Sequence, residues 1–229
     1  MIVVQGKGIS AGTAHGRLHC FHRVGAAAAK SAAGDPEQEL ARLVQARQET
    51  KEQIAILTER CRQEAGADAA LVFAAHEELI EDAGYIGDVS ECLRQKRCTA
   101  EYAVQRVGAG FFAMFESVDD PYMRARAADI WDVTWRLLRN LAGAGFGGAM
   151  PEGPAILAAD YLTPSEFMEL DRDRVLAVAS RQGSYDSHAA ILARLLRIPA
   201  VCGLGDRLQP EFHGRVAWVD GTAGTLMVV

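Results

Sequence analysis

The sequence predicts a mixed α+β/α/β chain: an α/β domain built from residues 1–22 and 150–229, with a helical domain of residues 23–149 inserted into it. Three observations lead there. Short apolar runs broken by glycine fill both ends of the chain, as strands in a sheet require. The middle instead repeats its apolar residues every three or four positions, the period of a helix with one buried face. Between the two patterns lie an Ala/Gly-rich stretch at 25–34 and a glycine cluster at 143–148, which read as connections.

The first 22 residues read as short strands, Ile2-Val-Val and then Gly8 through Phe21. Gly6-Lys-Gly8-Ile-Ser-Ala11 nominally fits a dinucleotide fingerprint, but the residues after it are strand-like and no βαβ unit surrounds it. Asp35-Pro36 opens a helix, with aspartate as N-cap and proline at the first helical position. Leu40, Leu43, Val44, Ile54, Leu57 and Cys61 mark its buried stripe to about residue 64. A second helix starts near Asp68 with Leu71, Val72, Ala75, Leu79 and Ile80 inside, and Gly84 and Gly87 are expected to break or bend it. Thr99 caps a third, in which Val104, Val107, Phe111 and Phe115 recur at helical spacing. Asp120-Pro121 opens a fourth, with Ala127, Ile130, Trp131, Trp135, Leu138 and Leu141 inside. Four such amphipathic helices make a bundle or a pair of hairpins.

After Pro151 and Pro154 the pattern changes. Apolar segments 155–159, 175–179, 200–203, 216–219 and 225–229 alternate with two short helices. Thr163-Pro-Ser-Glu166 is a capping box and begins one of them. Ser187-His188 begins the other. The N-terminal strands are free to complete this sheet, which makes the α/β domain discontinuous in sequence.

Composition bounds the partners. The net charge of −6 makes nucleic acid an unsuitable one. Residues 37–116 carry fifteen acidic against nine basic side chains, so the helices hold most of the acidic excess. That surface suits a basic protein partner, or is simply a solvated helical face. Five cysteines without a C-x-x-C pair read as reduced thiols. No signal peptide precedes Ile2 and no apolar run approaches the roughly 20 residues of a membrane span. The expected setting is cytoplasmic.

The chemistry concentrates at Gly183-Ser-Tyr-Asp-Ser-His188, followed by a run with Leu192, Leu195 and Leu196 at helical spacing that Ile198-Pro199 ends. A strand, a glycine-containing loop and a helix start make an anion site, because free N–H groups and the positive end of the helix dipole meet there. A histidine in that place is held neutral and is suited to carrying a phosphoryl group. The plain alternative is a capping or partly buried histidine without chemistry.

Ser187-His-x-x-Ile-x-Ala-Arg194-x-x-x-Ile198-Pro-Ala-Val201 resembles the phosphohistidine signature of the phosphoenolpyruvate-utilising enzymes. Further segments extend the likeness along the chain: Gly8-Ile-Ser-Ala-Gly-Thr-Ala-His-Gly16, Phe73-Ala-Ala-His-Glu-Glu-Leu-Ile-Glu-Asp82, Arg126-Ala-Ala-Asp-Ile-Trp-Asp132, Leu162-Thr-Pro-Ser-Glu166 and Asp220-Gly-Thr-Ala-Gly-Thr-Leu226. The whole is similar to the N-terminal half of enzyme I of the phosphoenolpyruvate-dependent phosphotransferase system. The dikinase and synthase members share the phosphohistidine segment but not the helical insertion with its Arg-Ala-Ala-Asp string.

The resemblance implies a swivelling phosphohistidine domain with an inserted four-helix subdomain that docks the carrier HPr. It implies that His188 is phosphorylated on Nε2 and that Thr163 hydrogen-bonds the active imidazole, although as an N-cap Thr163 has a local role of its own. His76, Leu79 and Arg126 would face HPr, and Gly183 and Ser187 would shape the phosphate loop, with Arg181 or Arg194 on the phosphoryl oxygens. Connections near 23–34 and 143–154 would act as hinges. Phosphoenolpyruvate and Mg²⁺ would bind a C-terminal barrel domain beyond Val229, so no cofactor is expected in these residues and the chain is expected to be a monomer.

One departure stands out. Enzyme I often reads Gly-Gly-x-Thr-Ser-His, whereas Asp186 here places a carboxylate two residues before the acceptor. A module of a specialised branch (dihydroxyacetone or nitrogen) with another HPr-like partner, and a non-catalytic docking protein, are the alternative readings.

Overall fold

The computed structural model describes residues 1–22, 35–143 and 150–229. The chain divides into two compact units, one of Met1–Arg23, Gln63–Ala69 and Gly148–Val229, the other of Val24–Arg62 and Ala70–Gly147. The short excursion Gln63–Ala69 belongs with the sheet, where Glu64 accepts a 2.6 Å hydrogen bond from Arg172. Of the expected hinges, 23–34 and the 144–149 part of 143–154 lie outside the described residues.

The first unit holds β1 (Ile2–Gln5), β2 (Lys7–Ser10), β3 (Thr13–Cys20), β4 (Ala155–Ala159), β5 (Val175–Ser180), β6 (Ala200–Cys202), β7 (Val216–Asp220) and β8 (Thr225–Val228). They form one mixed sheet in the order β1-β8-β7-β3-β4-β5-β6-β2. β3 to β6 run parallel and the remaining pairs antiparallel. β1 and β2 stand at opposite ends of this order, yet Gly6 alone separates them. Two residues of chain reach only about 7 Å. The sheet must therefore roll until its edges meet, and Gly6 N–H donates to Gly224 O at 2.8 Å at that seam.

Leu18, Ile156, Val201, Phe212, Leu226 and Val228 fill the interior, and Ala158, Ala177, Ala179 and Ala217 let its walls approach. Removing a Leu or Ile of this kind from water is worth about 1.5–3 kcal/mol. The parallel strands are connected through α6 (Pro164–Glu169) and α7 (His188–Leu195), two of the seven helices numbered here in chain order.

Among the described residues the second unit carries five helices rather than the expected four: α1 (Pro36–Ala65) and α2 (Ala67–Glu81), which meet across the 63–69 excursion, α3 (Ala83–Lys96), α4 (Ala100–Ser117) and α5 (Pro121–Ala142). The extra break falls at Asp82, and Gly84 and Gly87 lie inside α3. The reason is capping. Asp82 Oδ1 accepts the Tyr85 N–H at 2.7 Å, which starts a new helix more effectively than glycine ends an old one.

Two residues expected inside are outside, Val44 and Leu71, each 67% exposed. The buried stripe of α2 is instead Ala70, Val72, Phe73, His76 and Ile80. α4 and α5 pack closely at Gly108, where an added Cβ would lie 2.3 Å from Thr134 Cγ2. Tyr85 OH sits 2.9 Å from the same Thr134 hydroxyl, which itself donates to Ile130 O, so α3 joins the contact. Arg42 ties three helices, pairing with Glu39 and Glu101 and donating to Leu141 O at 3.1 Å. Among the described residues, no helix is long and apolar enough to cross a membrane.

Candidate functional site

β4 and β5 are adjacent parallel strands, with Ala159 opposite Ser180 at their C-terminal ends. α6 follows the first and α7 the second, so both helix N-termini open on the same edge of the sheet. In parallel α/β units ligands bind beyond the carboxyl ends of the strands, where these helices begin. The two following loops are hooked together: Arg181 N–H donates to Ala159 O at 3.0 Å and Gln182 N–H to Asp160 O at 2.8 Å. Both helices therefore begin beyond the same strand ends, Thr163 capping α6 and His188 opening α7, and α6 packs beside α7.

Each start has its own chemistry. Thr163 is buried and sits in a reciprocal capping box: its hydroxyl accepts from Glu166 N–H at 3.2 Å, and Glu166 Oε2 accepts from Thr163 N–H at 2.8 Å. That bond uses the oxygen as acceptor and leaves the hydroxyl proton as a donor. Ser187 caps α7, with Oγ accepting from Ala190 N–H at 3.2 Å and donating to Ser184 O at 3.0 Å. His188 is the first residue of α7 and is half-buried. The first N–H groups of a helix have no acceptor within it, and with the dipole they favour negative charge at this position.

Gly183 turns the loop at φ +128°, a backbone region that other residues rarely adopt. A Cβ there would also meet Cys202 Cβ at 3.2 Å. Burial pushes the Cys202 thiol up, so it serves as packing beneath the loop. Behind His188, α7 is anchored to β2, because Ser10 Oγ donates to Ala193 O at 3.1 Å from a buried position. The helix ends in a Schellman arrangement, Ile198 N–H to Ala193 O at 2.9 Å and Arg197 N–H to Arg194 O at 3.1 Å, with Arg197 at φ +55°.

Arg181 and Arg194, expected on the phosphoryl oxygens, both make hydrogen bonds to backbone carbonyls of the scaffold. Arg181 Nε donates to Leu208 O at 2.9 Å. Arg194 Nη1 donates to Tyr185 O at 2.8 Å and Ile9 O at 3.3 Å, and its guanidinium lies 4.2 Å over the Tyr185 ring. Sequence spacing held no sign of the Arg194–Tyr185 and Ser10–Ala193 contacts, which depend on where β2 and the loop lie in space.

The expected carrier-facing residues fall in the helical unit. Leu79 and Arg126 are partly exposed. His76 is 0% exposed, with Nε2 3.4 Å from Asp129 Oδ1, Nδ1 3.9 Å from Asp132 Oδ2 and the Phe73 ring at 5.3 Å. It shares the inner face of α2 with Phe73 and Ile80, three residues before and four after it. A wholly buried imidazole offers no contact surface, which corrects its expected exposure to the carrier. Among the described residues, no group of three or more His, Cys, Asp or Glu is placed to hold a metal ion.

Comparison with known proteins bears on the same residues. The N-terminal model of the phosphoenolpyruvate-utilising enzymes matches residues 5–126 and their mobile-domain model residues 151–224. The chain belongs to the phosphoenolpyruvate-utilising enzymes. Within that family it is 34% identical over 226 residues to the phosphoenolpyruvate-protein phosphotransferase of Geobacillus stearothermophilus, covering 98% of this chain and 39% of the relative. Against the Bacillus subtilis enzyme of that name the identity is 33%, with 98% and 40% covered. The chain thus spans about two fifths of the length of these relatives.

Among solved structures, the NMR solution structure of Enzyme I (nEIt) matches with a TM-score of 0.71 and 31% identity, over 98% of this chain and 92% of that one. The N-terminal domain of Enzyme 1 - Nitrogen matches with a TM-score of 0.69 and 30% identity, over 98% and 93%. The fold of this family member is therefore that of an enzyme I N-terminal half.

Proposed function

We propose that the protein passes a phosphoryl group between His188 and the histidine of an HPr-type carrier, as the N-terminal part of an enzyme I. One observation carries this reading: His188 is the first residue of a Ser-capped helix, at the strand edge it shares with Thr163. The helix start stabilises the incoming negative charge, and the fixed loop orients the imidazole. Phosphoryl transfer asks little more of a protein than positioning and charge stabilisation. The Thr163 hydroxyl proton is the donor that would orient His188.

The α/β unit is assigned to residues 1–22 and 150–229 and the carrier-docking unit to 23–149, with Leu79 and Arg126 on the docking surface. His76 supports that surface from beneath, through its buried contacts with Asp129 and Asp132. Phosphoenolpyruvate and Mg²⁺ are assigned to the remainder of the relatives' length, and the setting to the cytoplasm. These 229 residues are proposed to act as a monomer.

Intact mass after mixing with phosphorylated HPr, beside His188→Ala, tests the proposal. The wild type gains one acid-labile phosphoryl group and the variant gains none. The match to the nitrogen-type domain is nearly as good as to the other enzyme I, so a nitrogen-branch carrier is the second reading. A gain with that carrier and none with HPr would select it. No gain with any carrier would leave a docking module.

A further inference from the structure

Asp186 lies two residues before His188, so their Cα atoms are at most about 7 Å apart. Its side chain is exposed, and among the described residues it makes no ion pair. A cation of the same site, Arg194, is engaged elsewhere: it donates to Tyr185 O and Ile9 O and stacks over the Tyr185 ring. The phosphoryl-accepting end of α7 therefore holds two opposed charges. The helix N-terminus and its Ser187 cap favour an added anion, and the Asp186 carboxylate opposes it.

We infer that Asp186 sets the phosphoryl-transfer equilibrium of His188, raising the free energy of the phosphorylated form so that the group passes readily onward. The inference rests on the proposed transfer at His188. In that step the imidazole Nε2 lone pair forms a new N–P bond as the carrier's N–P bond breaks. The electron pair of the broken bond returns to the carrier nitrogen, and the His188 Nδ1 proton stays in place. His188 thereby gains a group of about −1.5 to −2 charge beside a carboxylate. Repulsion over this distance, in solvent-exposed surroundings, is worth a factor of about two to ten in the equilibrium, and less as salt screens it.

The test compares wild type, Asp186→Asn and Asp186→Glu by the equilibrium ratio of phospho-His188 to phosphorylated HPr, at low and at high salt. Asp186→Asn is expected to shift the ratio about two- to tenfold toward phospho-His188 at low salt. Asp186→Glu is expected to match the wild type, and the difference to shrink at high salt. An unchanged ratio in Asp186→Asn overturns the inference. So does a shift that Asp186→Glu shares or that ignores salt, since either reports loop shape rather than charge. A wild type that takes no phosphoryl group from HPr fails the His188 reading itself, which separates the two failures.

Discussion

Arg194 holds Tyr185 in two ways, by a 2.8 Å hydrogen bond to its carbonyl and by a guanidinium stacked 4.2 Å over its ring. The loop that presents His188 is thus fastened to the helix that His188 begins, and through Ile9 O to β2 as well. Arg194→Lys keeps the charge but loses the planar, stacked fork. It should slow phosphoryl transfer from phosphorylated HPr roughly tenfold while leaving the α/β unit folded, costing about 1–2 kcal/mol of its stability. Quenched-flow transfer rates and thermal unfolding check the pair of effects; an unchanged rate would remove Arg194 from the positioning of His188.

Gly183→Ala forces a side chain onto a backbone at φ +128° and against Cys202. Strain of this kind costs about 1–3 kcal/mol, and the loop can relieve it only by moving. Transfer through His188 should fall more steeply than thermal stability does. Amide chemical shifts should change along 183–188 and remain native across β7 and β8.

The Gly108–Thr134 contact makes a sharper test of helix packing, because α4 supplies its own control. Gly108→Ala places a Cβ within 2.3 Å of Thr134 and should destabilise the helical unit by about 1–3 kcal/mol. Gly110 has nothing within 4 Å of its ideal Cβ and is exposed, so Gly110→Ala should stabilise by about 0.5–1 kcal/mol through helix propensity. Denaturant unfolding of the two variants should move in opposite directions.

Burial pushes the Tyr85 phenol up to about 12, only partly offset by its bond to Thr134. In the unfolded chain it titrates near 10. The fold therefore favours the neutral phenol, and that contribution is full below pH 10 and disappears as pH rises to about 12. The loss across this window is about 2–3 kcal/mol. Tyr85→Phe should be about 1 kcal/mol less stable at neutral pH and should lack this alkaline loss. Stability curves of both chains between neutral and alkaline pH compare the slopes directly.

Features written in local chemistry were legible in the sequence. The Thr163–Glu166 capping box, the helix start at Ser187-His188 and the five apolar runs of the C-terminal region all depend on neighbours within a few residues, and the structure places them as read. The second helix misled because two glycines draw attention while the deciding residue is the Asp82 cap. His76 was legible in principle: its spacing from Phe73 and Ile80 marks the inner face, but its expected role came from the resemblance and not from that spacing. The rolled sheet was not legible, since only the pairing of β1 with β8 and β2 with β6 brings its edges together at Gly6. The carbonyl contacts of Arg181 and Arg194 were hidden for the same reason, as their partners lie far along the chain.

The central claim is that one imidazole out of six carries the phosphoryl group. Nitrogen-15 NMR of the histidine side chains, recorded as phosphorylated HPr is added, tests it most directly. The account predicts that the His188 ring changes, with the shift centred on Nε2, and that the changes reverse when unphosphorylated HPr is added in excess. Phosphorylation at another histidine, or six unchanged imidazoles in the presence of phosphorylated HPr, would contradict it.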